Sequence, residues 1–286
     1  MEAAGIGWEG SMPTWVKILE RAQIGLGWTD EGLAKRSQTP LRQLRELKAG
    51  ILDPGVLRSV AAALHLGADA LLSIARERES GSTFSMPATV RSMESESRRG
   101  YVLWDSASRL ASLIDIGGEC PQVVRLLEQE FLVPHYLFFT ESSQPIDPGW
   151  MRFLEDRSAL PVRSEVGEED GSFPLGTLQM YRRSVASRDG VSRRLYLVRG
   201  LDLPVAFIGR FLLPPDAQGE EERPLLYEGW LEEVRSHIFT LNDETLLCPS
   251  EGPMTTVGFE KAHNPFFPEF EHFSSFANLT EEDRNP

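Results

Sequence analysis

The sequence predicts two parts, a small all-helical head followed by a larger α/β body, an α + α/β class. Three observations carry this. Through residues 12–79 the apolar residues recur with helical period, whereas beyond about residue 100 short strand-like apolar runs alternate with amphipathic helices. Residues 80–99 between them are rich in Ser, Gly and charge, the composition of a flexible linker. Charge divides at the same place. Residues 12–79 carry ten Lys and Arg against eight Asp and Glu, and residues 80–286 carry 19 against 33.

A length of 286 residues, 41% hydrophobic and 25% charged, suits about two globular domains and excludes a disordered chain or a collagen-like fibre. Two cysteines, Cys120 and Cys248, cannot build a disulfide framework, so a reducing cytoplasm is the expected compartment. The first residues (MEAAGIGWEGS) lack the basic flank and apolar run of an export signal. No stretch approaches about 18 unbroken apolar residues, so no membrane partner is expected. A net charge of −14 argues against nucleic-acid binding over the whole surface, so any such contact belongs to the mildly basic head.

Within the head, Trp15, Ile18, Leu19 and Ala22 share one helix face. Leu33 and Ala34 open a second short helix, and Leu44 and Leu47 mark a third. Leu57, Val60, Ala61 and Leu64 form a fourth, and Leu71, Leu72 and Ala75 a fifth. Thr29 is a candidate N-cap, Thr39-Pro40 a cap followed by a residue pre-set for the first turn, and Gly50 a left-handed helix end. Asp53-Pro54-Gly55 reads as a turn and Gly67 as the end of the fourth helix.

In the body, Tyr101–Trp104 and Leu110–Ile116 read as a hairpin turning at Asp105-Ser106-Ala107. Gln122–Phe131 is an amphipathic helix and Tyr136–Phe139 a short apolar strand. Further strands are expected at Leu178–Arg182, Arg194–Val198, Val205–Ile208 and Thr245–Cys248, with a charged loop at Ala217–Arg223 and a helix at Glu228–Phe239. The expected division is a head at 12–79, a linker at 80–99 and a body at 100–276.

The segment Leu33 to Gly50 (LAKRSQTPLRQLRELKAG) resembles the Cro-type, phage-repressor-like (XRE) helix-turn-helix family. Leu33, Ala34, Ser37, Leu44, Leu47 and Gly50 fall at its spacing with no insertion, and PGVLRSVAAALHLGADALLSI matches its last two helices. The resemblance covers residues 12–75. It implies a five-helix bundle whose second motif helix, about Pro40–Lys48, enters the major groove of double-stranded DNA. It places Leu41, Arg42, Gln43 and Glu46 at base-facing positions, with Thr39 among the contacting residues. Lys35, Arg36, Arg45 and Lys48 become candidate phosphate contacts. Asp30 stands where the family often has a phosphate-bonding Gln. Tight binding would need a homodimer spanning two half-sites.

Near the end of the body, Leu241–Phe267 (LNDETLLCPSEGPMTTVGFEKAHNPFF) is similar to the closing segment of the metallo-β-lactamase-like hydrolases, in particular the glyoxalase II-type branch. Tyr101–Gly118 (YVLWDSASRLASLIDIGG) resembles that family's first hairpin and Asp-Pro-Gly-Gly turn, and Val205–Leu212 its strand ending Gly-Asp. This implies a four-layer αββα domain. The family's signature is His-x-His-x-Asp-His plus three further ligands, which hold zinc and lower the pKa of a bound water. Here Glu141, Ser143, Pro145 and Ile146 fall where His, His, Asp and His belong. Asp189, Arg210 and Glu251 take the places of the next His, the bridging Asp and the last His. None of the five histidines lands on a ligand position. The resemblance thus implies no metal, no cofactor and a body that is not an enzyme, kept for dimerisation, partner binding or ligand sensing. Two alternatives stay open: Glu141, Asp189 and Glu251 holding a hard cation such as Mg²⁺, and a metal-free pocket in which Arg210 anchors an anionic effector.

Other residues carry less. His65 reads as helix surface. His263 and His272 flank an aromatic run (Phe266, Phe267, Phe270, Phe273, Phe276) that suits a tail packed on the body or on a second subunit. Neither Cys120 nor Cys248 has a neighbouring His motif to make it a nucleophile. Glu281–Pro286 reads as frayed. The expected function is a cytoplasmic DNA-binding transcriptional regulator, with a small-molecule or protein effector on the body. The alternatives are a protein-interaction scaffold that does not bind DNA, and a hydrolase with a carboxylate metal site.

Overall fold

A computed structural model describes residues 14–76, 84–94, 98–141, 146–157, 163–164, 170–186, 191–215 and 223–270. Five helices come first: α1 (Thr14–Gly25), α2 (Asp30–Arg36), α3 (Leu41–Lys48), α4 (Pro54–Ala63) and α5 (Ala68–Ala75). Then follow β1 (Val90–Glu94), β2 (Arg99–Trp104), β3 (Leu110–Ile114), α6 (Pro121–Gln129), β4 (Val133–Phe138), α7 (Pro148–Arg157) and β5 (Arg163–Ser164). The chain continues through β6 (Gly171–Leu175), β7 (Leu178–Ala186), β8 (Ser192–Arg199), β9 (Val205–Gly209), α8 (Arg223–His237), β10 (Leu246–Pro249), β11 (Thr255–Thr256) and α9 (Val257–His263). No helix among the described residues is long and apolar enough to cross a membrane.

The chain packs as two compact units. The first takes the described residues of Met1–Ser82, Pro214–Thr240 and Gly258–Pro286, and the second those of Thr83–Leu213 and Leu241–Val257. This differs from the division expected from composition, because α8 and the aromatic tail cluster with the N-terminal helices. The reason lies in large apolar side chains. Gly25 ends α1 flush against the Tyr227 ring of α8, where a Cβ would come within 2.5 Å of that ring. Trp230 meets Phe266 edge-on at 5.1 Å, and Phe239 meets Phe267 at 4.8 Å. The Gly67 N–H donates to the Pro265 carbonyl at 2.7 Å. Phe266, Phe267 and Phe270 therefore pack on α8 rather than on the sheets. Phe273, Phe276 and His272 lie outside the described residues.

The helix ends follow local chemistry, with three corrections. The Thr29 side chain accepts from the Gly32 N–H at 3.1 Å, and Gly50 has φ +90°, both as expected. Thr39 is not the cap of α3. Pro40 occupies that position with no side-chain bond, and the Thr39 hydroxyl donates back to the Ser37 carbonyl at 3.3 Å. Asp53 caps α4 instead of making a free turn, accepting from Gly55 and Val56, with Pro54 in the first turn. The left-handed end of α4 is His65 (φ +57°), and Gly67 is the N-cap of α5.

In the second unit, β1-β2-β3-β4-β5 form one sheet and β11-β10-β9-β8-β7-β6 another. β3, β4 and β5 run parallel, as do β9 and β10; the other pairs are antiparallel. Alternation along each strand builds two cores. Tyr101, Leu103, Tyr136 and Phe138 meet Met180, Tyr196, Val198 and Phe207 between the sheets. Their strand neighbours Val102, Trp104, Leu137 and Phe139 pack with Val123, Leu127, Trp150 and Leu154 of α6 and α7. Three of the four expected αββα layers lie in this unit, and α8 belongs to the other.

Several elements escaped the sequence reading, two of them for visible reasons. β1 lies in the segment expected to be a linker and pairs antiparallel with β2, Val90 opposite Leu103. Only its Val90 and Met93 are buried, so its polar majority masks it. α7 is announced only by Asp147-Pro148, the Asp147 carboxylate accepting from the Trp150 N–H at 2.7 Å.

Candidate functional site

Two places were singled out by the sequence, one in each unit. On α3, Leu44 and Leu47 are buried and hold the helix to its unit, leaving Arg42, Gln43 and Arg45 exposed and Leu41 and Glu46 half-buried. Arg42 Nε lies 2.9 Å from Glu46 Oε1, one turn on, and Arg45 is 3.8 Å from Glu31. Such exposed pairs hold loosely and can release a partner for a phosphate or a base. Lys35 and Arg36 are exposed, with the Arg36 guanidinium 4.3 Å over the Trp28 ring.

Lys48 and Thr39 sit differently from the others. Lys48 Nζ lies 2.8 Å from Asp30 Oδ1 and donates to Gln23 Oε1 at 3.2 Å, so its charge is spent inside the unit. Thr39 is 7% exposed and turned towards Ser37. Hydrogen bonds from Gln23 and then from Lys48 hold the Asp30 carboxyl below the usual carboxylate range. The Asp30 position, read from sequence only as a departure, is thus the polar tie between α2 and α3.

The second place is where β3, β4, β9 and β10 end together. Asp115, just past β3, takes φ +56° and donates its N–H to the Phe138 carbonyl at 2.9 Å. Its half-buried carboxylate accepts from the Thr140 N–H and hydroxyl, both at 2.7 Å. Burial pushes its pKa up to about 6, opposed by the two Thr140 bonds and raised further by nearby Glu141. Gly209 ends β9 at φ +55°, and any Cβ there would overlap the Thr140 side chain. The next residue, Arg210, places Nε 3.0 Å from Glu251 Oε1, and the Ser250 N–H ties to the Gly209 carbonyl. Glu141, almost fully buried, faces Arg98 at 3.5 Å, and its backbone makes an isolated antiparallel β-bridge with that of Arg193. Arg99 donates to the Gly252 carbonyl, and the Tyr101 hydroxyl to that of Pro249, both at 2.7 Å.

The sequence-derived positions Glu141, Arg210 and Glu251 therefore gather on neighbouring strand ends. Ile146 is half-buried against the α6–α7 core, while Ser143, Pro145 and Asp189 lie outside the described residues. The side chains present do not fit a zinc ion. Arg210 cannot ligate a cation, and it claims Glu251, the carboxylate that takes the place of the last His. Among the described residues no group of three His, Cys, Asp or Glu stands where it could share a metal. Asp115, Thr140 and Arg98 were missed as site residues. Asp115 had a signal, the Asp-Ile-Gly-Gly turn after an apolar strand, whereas Arg98 and Thr140 had none.

No family model matches the chain, and no curated protein matches it. Solved structures do. A metallo-β-lactamase from Staphylococcus aureus subsp. aureus COL is 16% identical, with a TM-score of 0.51 over 69% of this chain and 68% of that one. ETHE1 from Myxococcus xanthus is 23% identical, TM-score 0.45, over 67% and 92%, and BLEG-1 B3 metallo-β-lactamase is 20% identical, TM-score 0.46, over 62% and 99%. At such identities the likeness to the Staphylococcus aureus structure establishes the fold alone, a metallo-β-lactamase-like one. It also overturns the expectation of a body that is not an enzyme. The fold is one that metallo-β-lactamases share, and the replaced histidines alone do not exclude catalysis.

Proposed function

We propose that this protein is a cytoplasmic DNA-binding transcriptional regulator, reading an operator with α3 and carrying a metallo-β-lactamase-like unit that receives an effector. The observation that carries the reading is the division of α3, with Leu44 and Leu47 buried and Arg42, Gln43 and Arg45 exposed on the other side. Arg bonds guanine bidentately and Gln bonds adenine, at about 1–3 kcal/mol of discrimination each. Two copies bound as a homodimer would set two such helices about one helical turn, 34 Å, apart on the duplex. An effector would act only by binding the DNA-competent and incompetent states unequally.

The test is binding of the full chain to a library of genomic fragments at several salt concentrations. The expected result is affinity that falls steeply with salt and drops at least about tenfold in Arg42→Ala with Gln43→Ala. Binding that ignores salt, or a double variant that binds as the parent does, overturns the reading.

A second reading, favoured by the fold likeness, is a hydrolase acting at the mouth formed by Asp115, Glu141 and Arg210. Turnover of a β-lactam or thioester by the full chain, lost in Glu141→Gln, would establish it; no turnover across such a panel would reject it.

A further inference from the structure

A groove of about 510 Å³ opens on the second unit, away from the mouth described above. It is built by alternation along β6, β7 and β8. Phe173, Met180, Tyr196 and Val198 point between the sheets, so Ser172, Tyr181, Leu197 and Arg199 point the other way. Tyr181 stands opposite Leu197 and makes a half-buried apolar middle. Arg183 lies opposite Leu195 at one end, and Arg199 opposite Gln179 at the other. Four residue steps separate those two levels, about 13 Å along the strands.

The Arg199 guanidinium carbon lies over the Tyr181 ring, 5.0 Å from its centre. Among the described residues neither Arg183 nor Arg199 has a carboxylate within ion-pairing distance. Asp170, the acid on the groove's rim, already accepts from the Ser184 N–H at 2.7 Å. Arg182 turns inward, its guanidinium 5.3 Å from the Phe173 ring. Two outward arginines flanking a flat apolar strip make a complementary surface, and the groove's size suits a small molecule.

We propose that this groove binds a small molecule with a flat apolar middle and an anionic group at each end. The middle packs on Leu197 beside the Arg199–Tyr181 pair, and the anions meet Arg183 and Arg199. The site is independent of the DNA-reading proposal and of the mouth at Asp115.

The experiment is calorimetric titration of the full chain with terephthalate and, separately, with benzoate, which keeps the ring and drops one anion. Terephthalate should bind at least about tenfold more tightly. Arg183→Gln and Arg199→Gln, both changes at solvent-facing side chains, should each bring terephthalate down to the affinity of benzoate. Tyr181→Ala should weaken both ligands. Equal affinities for the two, no heat from either, or unchanged binding in both arginine variants would overturn the proposal.

Discussion

Lys48 at the end of α3 and Asp30 at the start of α2 are joined at 2.8 Å, and Gln23 of α1 bonds both. This fixes the position of the helix that carries Arg42 and Gln43. Lys48→Met should destabilise the first unit by about 0.5–1.5 kcal/mol, because it leaves a part-buried carboxylate with one partner fewer. Since the folded Asp30 pKa is lowered, its contribution is present above the ordinary carboxylate range and disappears as pH falls through the folded value. Denaturation midpoints for the parent and Lys48→Met should therefore converge in acid; a gap independent of pH would contradict the tie.

Gly209 is the point where β9 can turn against Thr140. Gly209→Ala should cost about 2–4 kcal/mol, from the left-handed φ and from displacement of the Thr140 side chain that holds Asp115. Urea titration checks it, and a loss below about 0.5 kcal/mol would show the approach to be slack.

Asp115 gives the second unit an opposite pH response. Its pKa is raised to about 6, so its favourable state is fully present below the unfolded value near 3.8 and is lost as pH rises through 6. On the order of 2–3 kcal/mol should be lost from the parent between about pH 4 and 7, and not from Asp115→Asn. The stability deficit of the variant should accordingly shrink as pH rises. A deficit that stays constant would mean that the carboxyl is not desolvated.

Arg210 and Glu251, each less than a third exposed, should show a coupling of about 0.5–1.5 kcal/mol in a double-mutant cycle with Arg210→Met and Glu251→Gln. Additive losses would mean that the 3.0 Å approach contributes nothing to stability.

Much of the secondary structure could be read along the chain because its causes are local. The helical spacing of Leu44 with Leu47 and of Leu57 with Val60 and Ala61, the Thr29 cap and the left-handed Gly50 each act within a few residues. The hairpin of β2 and β3 was equally plain, since both strands are apolar on two faces. The likeness to metallo-β-lactamases was also legible, from short ordered segments, and the fold agrees with it. By contrast β1, β6 and α7 have too few apolar residues to announce themselves; they exist because a neighbour covers them.

What composition and periodicity determined by themselves were the helical head and the layered body; the replacement of histidine was legible only through the family resemblance. Tertiary structure alone decided that α8 and Phe266–Phe267 join the N-terminal helices, that Arg210 closes on Glu251, and that Asp115 is held by Thr140. The physical reason is range. Backbone hydrogen bonds and side-chain periodicity are set between near neighbours, whereas ion pairs, buried carboxylates and aromatic contacts depend on which distant surfaces exclude water together.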